Sequence, residues 1–281
     1  MKVQQNLAIG FIRTKLNLLS VVNRRRSGEE AFRLFCTPLS RYNGKEAAIF
    51  LQGEKLQFQL AGNKIKGYRC NHPQPKKVLL LHGFSSTCHK FDNYAMSLVD
   101  KGYEVLAFDA PAHGFSEGTT VNAVDYSEMI KKVCELYGPI HAFISHSFGG
   151  IAVCLALEEM AHNHATKLVL IAPATETSTA IDGAFSLLGL TSKHIRKSME
   201  EVIFKLSGKT ADWFSVRRAL KNITASVLWV HDEDDLVTPL ADALKVQEDR
   251  LAHVQFLITK GLGHQKIYRN PTVKNSILEF L

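Results

Sequence analysis

The sequence predicts an α/β fold with a mainly parallel central sheet and helices on both of its faces. Six apolar runs of the kind found in strands buried on both faces follow one another along the chain: KKVLLLHG, YEVLAFDA, HAFISHS, KLVLIAP, SVLWVHD and HVQFLIT. Between several of these runs lie segments long enough for helices. Because strands and helices alternate, the strands are expected to run mostly parallel to one another.

Residues 1–50 are expected to form an N-terminal helical extension that packs on the core. The first part carries apolar residues at helical spacing, interrupted by Arg13 and Lys15 and followed by the basic run NRRRS. No uncharged run in this region is long enough for an integral membrane span. The preferred interpretation is a helix that packs on its own domain or on a partner subunit, as in a homodimer. Peripheral contact with an anionic membrane surface is the alternative.

The main domain is expected to cover residues 51–281 and to begin with a β-hairpin. The segment KLQFQLAGNKIKGYRC alternates apolar and polar residues on both sides of Gly62 and Asn63, which is typical of a hairpin. In the helix expected after SVLWVHD, Thr238 is placed as the cap and Pro239 at the first helical position. The helices predicted between and after the strands of this domain are Lys90–Lys101, Val121–Tyr137, Phe148–His162, Thr238–Leu251 and Pro271–Leu281.

One interval, at about residues 174–222, has no strand pattern. Its segments FSLLGL, MEEVIFKL and WFSVRRAL have the apolar spacing of short amphipathic helices. An insertion here follows the carboxyl end of a strand, which is where open α/β sheets bind ligands. We therefore expect a small helical cap over the site, with a thickening of the core as the alternative.

Charge and composition exclude several classes of function. The net charge of +7 over 281 residues is spread along the chain, so no nucleic-acid groove is expected. The five cysteines are scattered and form no CxxC pair, which favours a reducing, cytoplasmic location. Since neither the cysteines nor the histidines have the spacing of metal ligands, we expect no metal, and no cofactor motif is present.

The segment FISHSFGG suggests a nucleophile, because Ser147 falls where a buried strand ends and a helix begins. A serine on such a sharp turn projects its hydroxyl clear of the sheet, provided that its neighbours are small. The usual signature of this turn is G-x-S-x-G, and here Ser145 replaces the first glycine. A serine hydroxyl is a poor nucleophile at neutral pH, so it requires a general base and a group that orients the base.

Candidates for both partners follow the last two strands. His264 stands in the glycine-rich segment GLGHQ after HVQFLIT, and three acids, Asp232, Asp234 and Asp235, stand in WVHDEDDLVTP. Loops at the carboxyl edge of the sheet can bring an acid and this histidine to Ser147. The residues alone leave open which of the three acids is used.

A tight loop in LLHGF supplies a site for negative charge on a substrate carbonyl oxygen. We expect the backbone N–H groups of Phe84 and Phe148 to form an oxyanion hole. His82, Gly83 and His146 lie beside these positions in the sequence and are expected to contact the substrate.

These motifs together resemble the α/β-hydrolase fold superfamily, from about Leu56 to Leu281. The order Ser147, acid, His264 is the order of that family. His82-Gly83-Phe84 resembles its oxyanion loop, and DAPAHGFSEG resembles its D-x-x-G-x-G-x-S segment.

The resemblance implies a function and selects one acid. In family members the acid commonly stands four residues before a proline, which selects Asp235, with Asp232 as the second choice. The implied enzyme is a serine hydrolase that cleaves a small-molecule carboxylic ester or thioester through an acyl-enzyme intermediate, with Ser147, Asp235 and His264 as the catalytic residues.

Several alternative functions remain open, some of which use the same triad and one of which needs no catalytic residue. Carbon–carbon bond hydrolysis and acyl transfer to an alcohol need the same triad. A hydrolase-like binding protein without turnover is an alternative of another class, and a lipid hydrolase held on the membrane by its N-terminal helix is a third. The sequence does not separate them.

Overall fold

The computed structural model describes residues 2–42 and 44–281, with side chains from residue 7 onward. The chain divides into two compact units. The larger unit comprises Pro38–Thr175 and Val216–Leu281, and the smaller one comprises the N-terminal residues up to Thr37 together with Glu176–Ser215. The domain boundaries expected from the sequence, and a cap at about residues 174–222, stay predictions.

The larger unit contains an eight-stranded, mainly parallel sheet, as predicted from the apolar runs. The sheet order is β1-β2-β4-β3-β5-β6-β7-β8. β2 runs antiparallel to both of its neighbours, β1 and β4, and every other pair is parallel. The strands are β1 Glu54–Leu60, β2 Asn63–Cys70, β3 Lys77–Leu81, β4 Glu104–Phe108, β5 Ala142–His146, β6 Lys167–Ile171, β7 Ser226–Asp232 and β8 Val254–Thr259.

The predicted hairpin is present, with its turn one residue earlier than the sequence pattern indicated. Leu60 pairs with Asn63, so the loop consists of Ala61 and Gly62. Both loop residues have positive φ, 48° and 80°, as a two-residue turn that matches the twist of the strands requires.

Helices connect the strands of the larger unit and form the smaller unit. They are α1 Lys2–Val22, α2 Arg24–Phe35, α3 Ala48–Gln52, α4 Asp92–Asp100, α5 Ala123–Tyr137, α6 Phe148–Leu157, α7 Thr177–Leu188, α8 Lys193–Ser207, α9 Val216–Leu220, α10 Leu240–Glu248, α11 Gly263–Lys266 and α12 Pro271–Phe280. Of these, α1, α2, α7 and α8 belong to the smaller unit. In the part of the chain that is described, no helix is both long and apolar enough to cross a bilayer.

The helix ends show local sequence signals, with one correction. Asn122 and Asp125 form a capping box at the start of α5, and Asn270 caps α12, whose first residue is Pro271. The prediction for α10 was wrong by one residue, because Pro239 precedes the helix and α10 begins at Leu240. Thr238 does not cap α10, since its hydroxyl is directed at a carboxylate instead.

The core of the larger unit lies on both sides of the sheet. β4 and β5 are buried along their whole length, and the last four residues of β3 are buried as well. Their sequences are continuous apolar runs, as expected for central parallel strands covered on both faces. The run of β8 does not follow this prediction, because β8 lies at the edge of the sheet and has no buried residue. The rigid ends of the central strands hold the loops that carry the candidate site.

In the smaller unit, α2 packs closely on α8. A Cβ atom built on Gly28 overlaps the backbone of Ser198, so only glycine allows this approach. Leu16 of α1 is fully buried, and the Arg13 guanidinium lies against Gly189, the C-cap of α7. The two N-terminal helices therefore pack with the helices of residues 176–215.

Candidate active site

Ser147 occupies a strained turn between β5 and α6. Its backbone has φ 53° and ψ −117°, a conformation that costs free energy for any residue with a side chain. Hydrogen bonds hold it there: the Ser147 N–H donates to Ile171 O at 3.0 Å, and the Ser147 carbonyl accepts from Gly150 and Ala174. The turn is thus tied to the end of β6, the neighbouring strand.

Small residues surround this turn because other backbone passes close to it. A Cβ atom on Gly149 would lie 2.7 Å from the carbonyl oxygen of Leu81. Ser145, which replaces the first glycine of the usual motif, is accommodated because its hydroxyl donates to Val169 O at 2.9 Å. The serine therefore gains a hydrogen bond to the adjacent strand without obstructing it.

A chain of hydrogen bonds joins three of the predicted residues. His264 Nε2 lies 3.0 Å from Ser147 Oγ, and His264 Nδ1 lies 2.8 Å from Asp235 Oδ2. Since a carboxylate only accepts, Nδ1 carries the proton and Nε2 is left to accept from the Ser147 hydroxyl. The histidine is thereby positioned to take a proton from the serine.

The environment keeps Asp235 ionised. Burial by itself raises the pKa of this carboxyl, but the hydrogen bond and charge of His264 and the N–H groups of Thr238 and Val237 outweigh it and lower the pKa to about 2. The side chain of Asp235 has no solvent exposure. A buried carboxylate of this kind fixes the orientation and tautomer of the imidazole.

Asp232, the second choice for the acid, does not reach the imidazole. Its carboxylate accepts from the N–H groups of Gly263 and Leu262, at 2.8 and 3.1 Å, and from the Thr259 hydroxyl at 2.7 Å. Burial opposes ionisation of Asp232, but these bonds prevail and lower its pKa. Asp232 therefore holds the loop that presents His264.

Thr238 is a residue of this cluster that the sequence interpretation missed. Its hydroxyl lies 2.9 Å from Asp235 Oδ2 and 3.2 Å from His264 Nδ1, and its N–H donates to Asp235 Oδ1. An aspartate followed within three residues by a threonine is a known local pattern, in which the acid accepts backbone N–H groups ahead of it. That pattern is a signal for such a turn, although the same residues also match the start of a helix.

The predicted oxyanion donors lie near Ser147. Phe148 is the first residue of α6, so its N–H has no partner within the helix. The rings of Phe84 and Phe148 meet edge to face with centroids 5.5 Å apart. A Cβ atom on Gly83 would lie 3.0 Å from the Cβ of Ser147. Among the described residues, neither the Phe84 nor the Phe148 N–H donates to a protein group.

Two histidines near the site, His82 and His113, have both ring nitrogens hydrogen-bonded to backbone groups. His82 is 1% exposed; its Nε2 accepts from Ala110 N–H, and its Nδ1 donates to Gly83 O. His113 bonds in the same manner to Ser85 N–H and Pro111 O. Because His82 has no ring nitrogen left for a substrate, this geometry does not support the predicted substrate contact.

His146 lies beside the base, where its ring contacts two other aromatic rings. Its Nε2 donates to the backbone carbonyl of His264 at 3.0 Å, and its ring packs on those of His264 and Tyr268. Burial and the neighbouring His264 lower the pKa of His146 to about 3, so the ring is neutral at physiological pH. A substrate contact by His146 stays a prediction.

The arrangement can activate a serine for attack on an electrophilic carbon. Within residues 2–42 and 44–281, no three His, Cys, Asp or Glu side chains converge as metal ligands would. The hydroxyl, imidazole and carboxylate of Ser147, His264 and Asp235 supply nucleophilic and acid–base chemistry.

Comparisons with known proteins identify a family and several related chains. The family described as serine aminopeptidase, S33, matches residues 72–215, just over half of the chain. A Mycoplasma pneumoniae protein named as an esterase/lipase is 20% identical over 232 residues, which are 71% of this chain and 86% of that protein.

Solved structures show the same fold. An esterase of Pyrococcus furiosus superposes with a TM-score of 0.65 and 18% identity, covering 88% of this chain and 97% of that one. An esterase of Exiguobacterium antarcticum gives a TM-score of 0.59 and 17% identity, covering 82% of this chain and 99% of that one. At this level of identity the likeness concerns the fold, and activity has to be argued from the site.

Proposed function

Because the chain belongs to the serine aminopeptidase (S33) family of α/β-hydrolases, we propose that it is a serine hydrolase that cleaves a carboxylic ester or thioester through an acyl-enzyme intermediate. The observation that carries this proposal is the hydrogen-bonded chain from Ser147 through His264 to Asp235. A binding protein without turnover has no need of an ionised, buried carboxylate behind a histidine that accepts from a serine.

In the first half of the proposed reaction, Ser147 Oγ attacks the carbonyl carbon while its proton passes to His264 Nε2, 3.0 Å away. Asp235 stabilises the imidazolium that forms. The N–H groups of Phe84 and Phe148 bind the oxyanion of the tetrahedral intermediate. His264 then returns the proton to the departing alcohol or thiol, which leaves Ser147 acylated.

The second half repeats these steps with water. His264 takes a proton from a water molecule, whose oxygen attacks the acyl carbon. When the tetrahedral intermediate collapses, Ser147 Oγ leaves and receives the proton, and the carboxylic acid is released.

An ester or thioester is preferred over an amide for two reasons. The Mycoplasma relative is named as an esterase/lipase, and esters have better leaving groups than amides. The family description includes aminopeptidases, so the substrate screen has to contain an amide.

The test is labelling by a fluorophosphonate probe, which reacts only with activated serines. Wild-type protein is expected to be labelled and to hydrolyse para-nitrophenyl esters, and Ser147→Ala should lower kcat by on the order of 10⁶-fold. Ser145→Ala is the matched control, since it removes a hydroxyl two residues away whose hydrogen bond goes to the Val169 carbonyl and not to Ser147 or His264. Its labelling should persist.

A parallel series of acyl thioesters and an aminoacyl para-nitroanilide distinguishes the substrate classes. Faster turnover of the anilide than of every ester and thioester would replace the proposed substrate with an amide. Folded wild-type protein that is neither labelled nor active would make the hydrolase-like binding protein the better interpretation.

A further inference from the structure

Helix α1 carries apolar side chains on two opposite sides. One side packs within the smaller unit, where Leu16 is fully buried and Ile9, Ile12 and Leu19 are half-buried. Successive residues of a helix are separated by about 100°, which places a second apolar group on the far side. We call this group the α1 stripe: Leu7, Phe11, Leu18, Val21 and Val22.

The α1 stripe is exposed along its whole length. Its side chains range from 64% exposed at Leu18 to 86% exposed at Val21. Single exposed apolar side chains are common on protein surfaces, but five large ones on one side of a helix, interrupted by Thr14, mark an interaction site. The packing of α1 inside its unit therefore accounts for only one of its two apolar sides.

The charges around the α1 stripe indicate the kind of surface that it fits. α1 contains no aspartate or glutamate. Directly beyond Val22 come Arg24, Arg25 and Arg26, all exposed, in the first turn of α2. Arg25 pairs with Glu29, whereas Arg24 and Arg26 have no acidic partner among the described residues.

This basic cluster does not stabilise α2. Cations at a helix N-terminus oppose the helix dipole, so Arg24 and Arg26, which have no acidic partner among the described residues, cost stability unless an external anion lies nearby. An anionic bilayer offers a partner to both groups of side chains. The apolar side chains of the α1 stripe can insert among the acyl chains, and the arginines that follow can pair with lipid phosphates.

We propose that the α1 stripe and Arg24–Arg26 dock this protein on an anionic lipid surface. A second copy of the chain fits less well. Pairing stripe on stripe would bury the apolar side chains, but α1 has no acidic residue to offer Arg24 and Arg26. This inference does not rest on the proposed function, because no residue of the candidate active site takes part in it.

The test is flotation of the full-length protein with vesicles of phosphatidylcholine alone and of phosphatidylcholine mixed with phosphatidylglycerol. Wild-type protein is expected to float with the mixed vesicles and to remain at the bottom with phosphatidylcholine. Phe11→Asp/Leu18→Asp should lower the partition coefficient by on the order of 100-fold. Arg24→Gln/Arg26→Gln should lower it about tenfold or more, and added salt should reproduce that loss for the wild type.

The matched control is Leu136→Asp/Leu244→Asp, which places the same two charges on exposed leucines of α5 and α10 and should bind vesicles like the wild type. All variants are expected to keep the circular dichroism and para-nitrophenyl ester hydrolysis of the wild type, because the substituted side chains all reach solvent, Leu136 and Leu244 being 45% and 40% exposed. The proposal is overturned if wild-type protein does not float with the mixed vesicles, or if Phe11→Asp/Leu18→Asp floats equally well. Light scattering that shows a wild-type dimer, which this same variant dissociates, would assign the α1 stripe to a second copy.

Discussion

At the scale of single residues, the site distinguishes two aspartates that stand three positions apart. Asp235 accepts from His264 Nδ1, and Asp232 accepts from the N–H groups of the loop that carries His264. Both carboxyls have a lowered pKa. The pKa therefore does not distinguish the roles of the two aspartates. The hydrogen-bond donor does, because it is His264 for Asp235 and loop N–H groups for Asp232.

We expect Asp235→Asn to lower kcat by about 10,000-fold, because an amide no longer stabilises the protonated imidazole or its required tautomer. Asp232→Asn is the matched variant. It weakens the bonds to Gly263 and Leu262 but leaves the His264 contact to Asp235 in place, so a much smaller loss of kcat is expected, together with a lower melting temperature. Steady-state kinetics on a para-nitrophenyl ester and thermal unfolding measure both. Equal losses of kcat in two folded variants would contradict this division of roles.

At the scale of elements, the two N-terminal helices each contain a glycine, and the surroundings of these two glycines differ. In α2, Gly28 faces the backbone of Ser198, where no Cβ atom fits. In α1, Gly10 has open space around it: apart from its own helix backbone and chain neighbours, no atom of the described side chains and backbone lies within 4 Å of the Cβ position. The same substitution should therefore change stability in opposite directions.

Gly28→Ala is expected to lower the free energy of unfolding by about 1–3 kcal/mol, because α2 and α8 must move apart. Gly10→Ala should raise it by about 0.5–1 kcal/mol, since alanine in a helix interior loses less backbone entropy than glycine. Urea denaturation followed by circular dichroism compares the two. Stabilisation by Gly28→Ala would show that the close approach of α2 and α8 is wrong.

At the scale of the whole molecule, buried neutral histidines make the fold sensitive to mild acid. Burial is the main cause that lowers the pKa of both His113 and His146 to about 3. In the unfolded chain these side chains take up protons near pH 6.5. In the folded protein they take up protons only at about pH 3. The free energy of unfolding therefore falls as the pH drops from about 6.5 to about 3.

Each of these histidines is expected to contribute a loss of roughly 1 kcal/mol per pH unit in that window. His113→Gln can keep both bonds, to Ser85 N–H and Pro111 O, without titrating, so its unfolding free energy should depend less steeply on pH. Urea denaturation between pH 7 and pH 4 gives both slopes. Parallel curves for wild type and variant would contradict the assignment of His113 as a buried neutral group.

The sequence by itself determined the strands, the mainly parallel sheet and the positions at which chemistry is placed. Central strands are local apolar runs, and the turn at Ser147 and the segment at His264 are marked by small residues next to those runs. These are short-range signals, because strand burial and turn geometry act over a few neighbouring residues. They were sufficient to name Ser147, His264 and a set of three acids.

Only the tertiary structure decided which groups meet. Ser147 and His264 are 117 residues apart, and the contact between His264 and Asp235 spans 29. Loops from different strands meet at one edge of the sheet. Their meeting decides that Asp235 is the acid that contacts His264, that the Thr238 hydroxyl is directed at Asp235, and that His82 is enclosed by the main chain. The exposure of the α1 stripe is of the same kind, since apolar residues at helical spacing predict a helix but do not show which of its side chains are covered. Such contacts arise when segments far apart in the sequence pack together, and a local sequence pattern does not show which distant segments will meet.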